Sequence, residues 1–203
     1  MVLAAAVSLP AGGGASARST AACKPRASEA VVKSRYARVY TRGHIDYDTG
    51  ETERLYGCLY SSGRPLRLFE ASDDGYVLSD SYADVRLAGR YVAWSETHTD
   101  ISCKADCPPD YEPTTYGIGL ADLRGRSRRG IAGQVLDGAL LLSKHGFLVW
   151  AQPGPGATVD VRARDTAGVR ELDTGGIDPA SLSLHGSKVS WTKDGVRRSA
   201  TLG

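Results

Sequence analysis

The fold is decided by the stretch Val85-Arg86-Leu87-Ala88-Gly89-Arg90-Tyr91-Val92-Ala93-Trp94. A short run with alternating apolar residues, a glycine and a second apolar run predict two antiparallel strands joined by a tight turn. The pattern returns as LLLSKHGFLVW at residues 140–150 and as LSLHGSKVSW at residues 182–191. A weaker copy, VVKSRYARVY at residues 31–40, has tyrosine in place of tryptophan. Such a recurrence indicates a protein built from repeated units.

Four units follow from these copies within one domain over residues 29–203, at about 29–71, 84–131, 138–175 and 181–202. The first three read as four strands each, and the fourth reads as three. Allowing for insertions, the repeat is ~40–45 residues, which is the period of four-stranded propeller blades. No segment shows helical periodicity over a useful length, so the sequence predicts an all-β protein with almost no helix.

The second strand of each unit is a continuous apolar run that ends in tryptophan or tyrosine. Consecutive apolar residues face both sides of a sheet, so such a strand must be covered on both faces. Sheets stacked face to face provide that cover, and the recurring tryptophan is expected to be a large wedge between neighbouring units. The outer strands, such as residues 126–131 and 169–173, carry alternating charges that suit a solvated rim.

This organisation resembles the WD40-like and TolB-type β-propellers of exported bacterial proteins. The resemblance rests on residues 87–94, 140–150 and 182–191 and on the hairpin Gly63-Arg64-Pro65-Leu66, and it spans about residues 29–202. It implies four antiparallel blades, either in a closed four-bladed ring or in an open part-ring that pairs with a second copy as a homodimer. A β-sandwich is the alternative fold class. We also expect residues 18–30 to supply the fourth strand of the last unit, as an N-terminal latch.

The N-terminal residues favour export. Residues 1–17 combine an apolar run with the small-residue pattern Ala15-Ser16-Ala17 of a signal-peptide cleavage site, although the positive region that normally precedes the run is missing. Residues 18–28 follow as an irregular arm. No stretch reaches the ~20 apolar residues that a membrane helix needs. The location that we expect is extracytoplasmic, either secreted or in a bacterial cell envelope.

The overall composition and charge exclude little. A hydrophobic fraction of 41% and a charged fraction of 24% are ordinary for a soluble globular protein. The net charge of +2 does not single out nucleic acid or an anionic membrane as a partner.

The four cysteines are expected to form two disulfides, because an even number in an exported chain favours them. Cys103 and Cys107 are close enough in sequence to close a small loop, which leaves Cys23 to pair with Cys58. The rival interpretation is a metal site formed by Cys103, Cys107 and His98. Structural zinc sites usually combine two short-spaced ligand pairs, and the sequence has only one.

The main candidate for a binding site is the long loop predicted between residues 96 and 114, which the other units lack. Long loops on rigid scaffolds often bind partners. This loop carries the candidate binding residues Asp100, Asp106, Asp110, Tyr111 and Glu112. The opposing interpretation is that it is a tolerated insertion.

Three further features are weaker candidates for a functional site, and each also has a structural explanation. The carboxylates in DYDTGE at residues 46–51 suggest a cation loop, but the glycine falls where a third ligand is needed, and a hairpin turn explains the segment. The arginines at positions 124, 126, 128 and 129 form a basic hairpin that suits phosphate or acidic glycans, or that prevents edge pairing. His145 and His185 occupy repeat turns, and no serine lies in a Gly-x-Ser-x-Gly elbow.

The function predicted from the sequence is therefore a secreted, non-enzymatic, propeller-like module that binds a protein or a glycan through its loop faces. No catalytic residue, cofactor or metal is predicted. The alternatives are a hydrolase or an accessory domain of one, and a structural protein of the cell envelope.

Overall fold

The computed structural model describes residues 20–43, 52–74, 77–103, 107–108 and 111–203. They form fifteen strands and one helical turn at residues 20–22, so the chain is all-β as predicted. In chain order the strands are β1 (Glu29–Lys33), β2 (Ala37–Arg42), β3 (Glu53–Leu59), β4 (Pro65–Asp73), β5 (Leu78–Ala88), β6 (Tyr91–Asp100), β7 (Thr114–Asp122), β8 (Ser127–Ala132), β9 (Leu140–Leu142), β10 (Leu148–Pro153), β11 (Val159–Asp165), β12 (Gly168–Gly175), β13 (Ile177–His185), β14 (Lys188–Lys193) and β15 (Val196–Thr201).

The strands form three antiparallel sheets in which each strand pairs with the next along the chain. Strands β1–β8 form one sheet, β9–β12 a second and β13–β15 a third. Within the first sheet, the backbone ladder between β4 and β5 has only the pairs Ser72–Asp80 and Asp73–Ser79 among the described residues. The described chain therefore consists of four meanders, β1–β4, β5–β8, β9–β12 and β13–β15, and its sheets close into neither a barrel nor a ring.

Neighbouring meanders meet through their first strands and through the predicted tryptophans. Strand β1 contacts β5, β5 contacts β9, and β9 contacts β13. Trp94 lies in an apolar cluster that joins the first and second meanders, Trp150 in one that joins the second and third, and Trp191 in one that joins the third and fourth. Each tryptophan is thus a wedge between its own meander and the one before it, as the repeat predicted.

Gly119 shows how closely one wedge is fitted. It pairs with Trp94 across β6 and β7, and a Cβ at this position would lie 2.0 Å from Cε2 of the indole ring. Only glycine leaves room for the ring, which is 1% exposed. The indole N–H donates to Oε1 of Glu96 at 2.7 Å, and the indole of Trp150 donates in the same way to Gln152.

The long loop predicted from residue 96 to residue 114 is shorter in the structure. Strand β6 continues to Asp100 and β7 begins at Thr114, so the connection covers residues 101–113. The polar residues 95–100 pair with β5 on one side and β7 on the other, and they are at most half-buried. Because this hairpin extends beyond the core, its strands lack the apolar alternation by which strands are recognised in a sequence.

The N-terminal arm does not act as the predicted latch. Strand β15 pairs only with β14 among the described strands, and residues 29 and 30 belong to β1. Cys23 forms a disulfide with Cys58 of β3. The guanidinium of Arg38, a residue that is 8% exposed, donates to the carbonyl oxygen of Cys23 at 3.2 Å and to that of Ser28 at 3.1 Å. These bonds hold the arm against β2 and β3 of the first sheet. Residues 1–19, with the signal-like segment, lie outside the described residues.

Candidate functional site

The up-and-down topology places every second connection at the same end of the meanders. One end, here called the turn end, carries the five turns at residues 34–36, 60–64, 89–90, 123–126 and 143–147, together with two-residue turns at 166–167 and 186–187. The other end, called the loop end, carries the connections at residues 43–52, 74–77, 101–113, 133–139 and 154–158, together with residue 176 and the turn at 194–195. The two ends differ in charge.

The turn-end connections contain six lysines and arginines and no aspartate or glutamate: Arg35, Arg64, Arg90, Arg124, Arg126 and Lys144. The described residues of the loop-end connections contain no lysine or arginine and four carboxylates: Asp74, Glu112, Asp137 and Asp194. The net charge of +2 conceals this separation, because the opposite charges cancel in the sum.

The five turns surround a cleft of about 690 Å³, here called the basic cleft. Among the described residues, its lining contains four arginine or lysine side chains, one histidine, three tyrosines and no carboxylate. The lining residues are Arg35, Tyr36, Leu59, Tyr60, Ser61, Gly89, Arg90, Tyr91, Arg124, Lys144 and His145.

Local hydrogen bonds in the first turn expose a cation beside an aromatic ring. Oγ of Ser34 accepts from the backbone N–H groups of Tyr36 and Ala37, which closes the turn between β1 and β2. Tyr36 is left 53% exposed, and the guanidinium of Arg35 lies 4.5 Å from the centroid of its ring. This cation–π contact holds the arginine at the rim of the cleft.

The turn at residues 143–147 is built in a similar way and packs against Tyr91. Oγ of Ser143 accepts from the N–H groups of His145 and Phe147. Gly146 has φ +81°, and a Cβ on it would lie 2.9 Å from the ring of Tyr91. Glycine at this position therefore allows the turn to bend and Tyr91 to approach it.

Most of the cations in the cleft have no carboxylate to neutralise them. Arg90 is the exception, since its Nη2 donates to the hydroxyl of Tyr91 at 2.6 Å and lies 3.2 Å from Oδ2 of Asp122. The hydrogen bond to Tyr91 is the main reason why the pKa of Arg90 is raised. Within the described part of the chain, Arg35, Arg124 and Lys144 form no ion pair. The cleft therefore presents an excess of positive charge that suits an anion.

The described members of the binding residues expected from the sequence, Asp100, Tyr111 and Glu112, lie at the loop end. Asp100 ends β6, and its Oδ1 accepts from the N–H of Ser102 at 2.9 Å, while the hydroxyl of Tyr111 donates to the backbone carbonyl of Asp100. Hydrogen bonding by Ser102 lowers the pKa of Asp100. Glu112 is exposed and follows Tyr111 in the same connection. Asp106 and Asp110 lie outside the described residues. None of the described members lines the basic cleft.

The cysteines form the pairs Cys23–Cys58 and Cys103–Cys107, as expected from their spacing. Both sulfur atoms of the suggested metal site are thereby bonded to each other and cannot serve as thiolate ligands. His98, its third member, instead contacts Oδ1 of Asp80 through Nδ1 at 2.5 Å. No group of three or more possible metal ligands is found in the described residues, and residues 46–51 are not among them.

The basic hairpin contributes only in part to the cleft. Arg124 lines the cleft, whereas Arg128 donates to the carbonyl oxygen of Leu68 at 2.8 Å on the rim between the first two meanders. Arg35, Arg90, Lys144 and the three tyrosines were not predicted from the sequence as site residues. Part of this set had a local signal, the dipeptide Arg-Tyr, which recurs at the first turn of the first and second units as Arg35-Tyr36 and Arg90-Tyr91.

No family model, no curated protein and no solved structure matches the chain. Among the described residues, no helix is both long and apolar enough to cross a membrane. A function is therefore inferred from the geometry and charge of the turn end.

Proposed function

We propose that this protein is an extracytoplasmic, non-enzymatic binding module that holds an anionic ligand in the basic cleft. The observation that carries the proposal is the lining of that cleft, where, among the described residues, three cations without an ion pair and three tyrosines meet and no carboxylate is present. Unpaired cations beside hydroxyl groups and aromatic rings suit the binding of carboxylate, sulfate or phosphate groups of a ligand.

A propeller-like stacking of the four meanders is part of the proposal. Its support is the sequence of contacts from β1 to β5, β9 and β13, together with one tryptophan wedge at each junction. In such a stack the turns between first and second strands converge near one axis. That convergence explains why the turns at residues 34–36, 89–90 and 143–147, although far apart in sequence, line a single cleft.

The two disulfides support the extracytoplasmic part of the proposal. All four cysteines are paired, and disulfides persist in oxidising compartments. Acidic glycans and secreted or surface proteins are the anionic partners expected there.

Binding to immobilised polyanions tests this function. The wild-type protein is expected to bind heparin and polygalacturonate and to ignore neutral dextran. Replacing two unpaired cations in the variant R124Q/K144Q is expected to weaken binding by roughly ten- to a hundredfold, since each contact of a charged group in a cleft contributes about 1 kcal/mol or more.

The matched control is R197Q/R198Q, which removes the same charge from β15, a strand that does not line the cleft. It is expected to bind the polyanions as the wild type does. An equal loss in both variants would mean that net charge alone drives binding, and it would refute a site at the turn end. Release of shortened sugar products during the assay would instead favour a hydrolase.

A further inference from the structure

We infer that the ligand of the turn end is a linear acidic polysaccharide that extends beyond the basic cleft on both sides. This inference rests on the proposed function, because it names the class of ligand that the same site takes. It is carried by two further depressions that border the cleft and share side chains with it.

The first neighbouring depression, of about 560 Å³, lies beside the turns at residues 60–64 and 123–126. It shares Leu59, Ser61 and Arg124 with the basic cleft. Its own cations are Arg64 and Arg126. Arg126 is held in place because its Nη1 approaches the carbonyl oxygens of Arg64 and Pro65 at 3.5 and 3.4 Å.

The second neighbouring depression, of about 190 Å³, lies between the second and third meanders. It shares Tyr91 and His145 with the basic cleft and adds Arg129 and Arg164. Its one carboxylate, Asp122, is paired with Arg90. The three depressions therefore form a continuous basic trough along the turn end of three meanders.

A trough of this kind suits a polymer better than a small anion. One phosphate or carboxylate occupies a single subsite, whereas the cations at Arg64, Arg124, Lys144 and Arg164 are distributed over all three depressions. A chain with a charge on each successive unit meets several of them at once. Its affinity then increases with length, because each further contact is intramolecular.

The tyrosines and the disulfides favour sugar over other polyanions. Tyr36, Tyr60 and Tyr91 line the basic cleft, and aromatic side chains suit the apolar faces of sugar rings but add nothing for inorganic polyphosphate. Single-stranded nucleic acid also stacks on such faces. The paired cysteines favour an oxidising, extracytoplasmic location, where acidic polysaccharides are available as linear polyanions.

Calorimetric titration with acidic oligosaccharides of graded length tests the inference. Oligogalacturonates and heparin fragments serve as probes, each as disaccharide, tetrasaccharide and octasaccharide. In at least one series, the octasaccharide is expected to bind the wild-type protein at least about tenfold more tightly than the disaccharide. The variant R64Q/R129Q changes only the outer depressions, so it is expected to lose about tenfold for the octasaccharide and to bind the disaccharide unchanged.

The control R197Q/R198Q is expected to retain the full dependence on length. Affinity that is equal for all lengths would overturn the polymer and leave a single anion site in the basic cleft. Tighter binding of polyphosphate or of an oligothymidylate of matched charge would overturn the assignment to polysaccharide. Absence of binding to every one of these anions would refute the proposed function as well.

Discussion

The turn end and the loop end of this protein are built from the same strands but differ in both charge and construction. The turn end gathers six lysines and arginines in five short turns, closed by Ser34, Ser143 and left-handed glycines. The loop end carries carboxylates in its described connections and is braced by the Cys103–Cys107 disulfide. A candidate site can therefore be formed by several short turns at one end of the fold, and not by the longest loop.

The two disulfides distinguish the ends most strongly. Cys23 and Cys58 are fully buried, and Cys58 lies one residue before the turn-end terminus of β3. Their bond spans 35 residues, whereas Cys103 and Cys107 are four apart. By loop entropy, C23A/C58A should lower the free energy of unfolding by about 4 kcal/mol, and C103A/C107A by about 2 kcal/mol.

Denaturant titration of both double variants measures these losses. The loop-end variant should also keep its affinity for polyanions, because its disulfide is at the other end from the basic cleft. A larger loss of stability from C103A/C107A would reverse the ranking, and a loss of polyanion binding in that variant would implicate the loop end in the site.

A second prediction concerns the packing that holds both ends in place. G119A puts a methyl group 2.0 Å from the ring of Trp94, so the wedge between the first two meanders must move. Overpacking of this kind should cost about 3 kcal/mol in unfolding free energy. Gly130 pairs with Gly119 across β7 and β8 and has no atom within 4 Å of an added Cβ. G130A is therefore the matched control, and thermal melting should separate the two variants clearly.

The sequence predicted the scaffold better than it predicted the site. The repeat ending in Trp94 predicted the strands and the wedge tryptophans correctly, because the spacing of apolar residues follows directly from which side chains are buried. Residues 96–100 were wrongly predicted as loop, because a strand outside the core does not show this spacing of apolar residues. The basic cleft depends on how meanders stack, which brings Lys144 beside Gly89 although they are far apart along the chain. Its local signs in the sequence were the basic hairpin that contains Arg124 and the repeated Arg-Tyr dipeptide.

A third prediction tests a carboxylate at the turn-end terminus of β11. The side chain of Asp165 is 1% exposed and accepts from Nη2 of Arg170 at 2.9 Å and from the N–H groups of Ala167 and Gly203. The hydrogen bond from Arg170 is the main reason why the pKa of this carboxyl is lowered. In D165N the amide N–H₂ group faces some of these donors and cannot accept from them. The free energy of unfolding should therefore fall by about 2 kcal/mol at neutral pH.

The pH dependence of that loss follows from the direction of the shift. A carboxyl whose pKa is lower in the folded than in the unfolded protein stabilises the fold above its unfolded value, about 3.9, and loses that effect as the pH falls through its folded value. The difference between wild type and D165N should thus be constant above about pH 5 and shrink in acid. A difference that persists unchanged below pH 3 would assign it to shape rather than to charge.

The smallest predicted effect concerns Asp122, the carboxylate that borders the basic trough. Its Oδ1 accepts from the N–H groups of Arg124 and Gly125 at 2.9 and 3.2 Å, and its Oδ2 pairs with Arg90. In D122N the amide oxygen can keep both turn bonds, while the negative charge disappears and Arg90 is released. Affinity for acidic oligosaccharides should therefore rise about two- to fivefold, and stability should change by less than about 1 kcal/mol, because an exposed ion pair contributes little.

A fall in affinity would show that Asp122 orients Arg90 toward the ligand. The turn end would then depend on a precise arrangement of its arginines, and not only on an excess of positive charge.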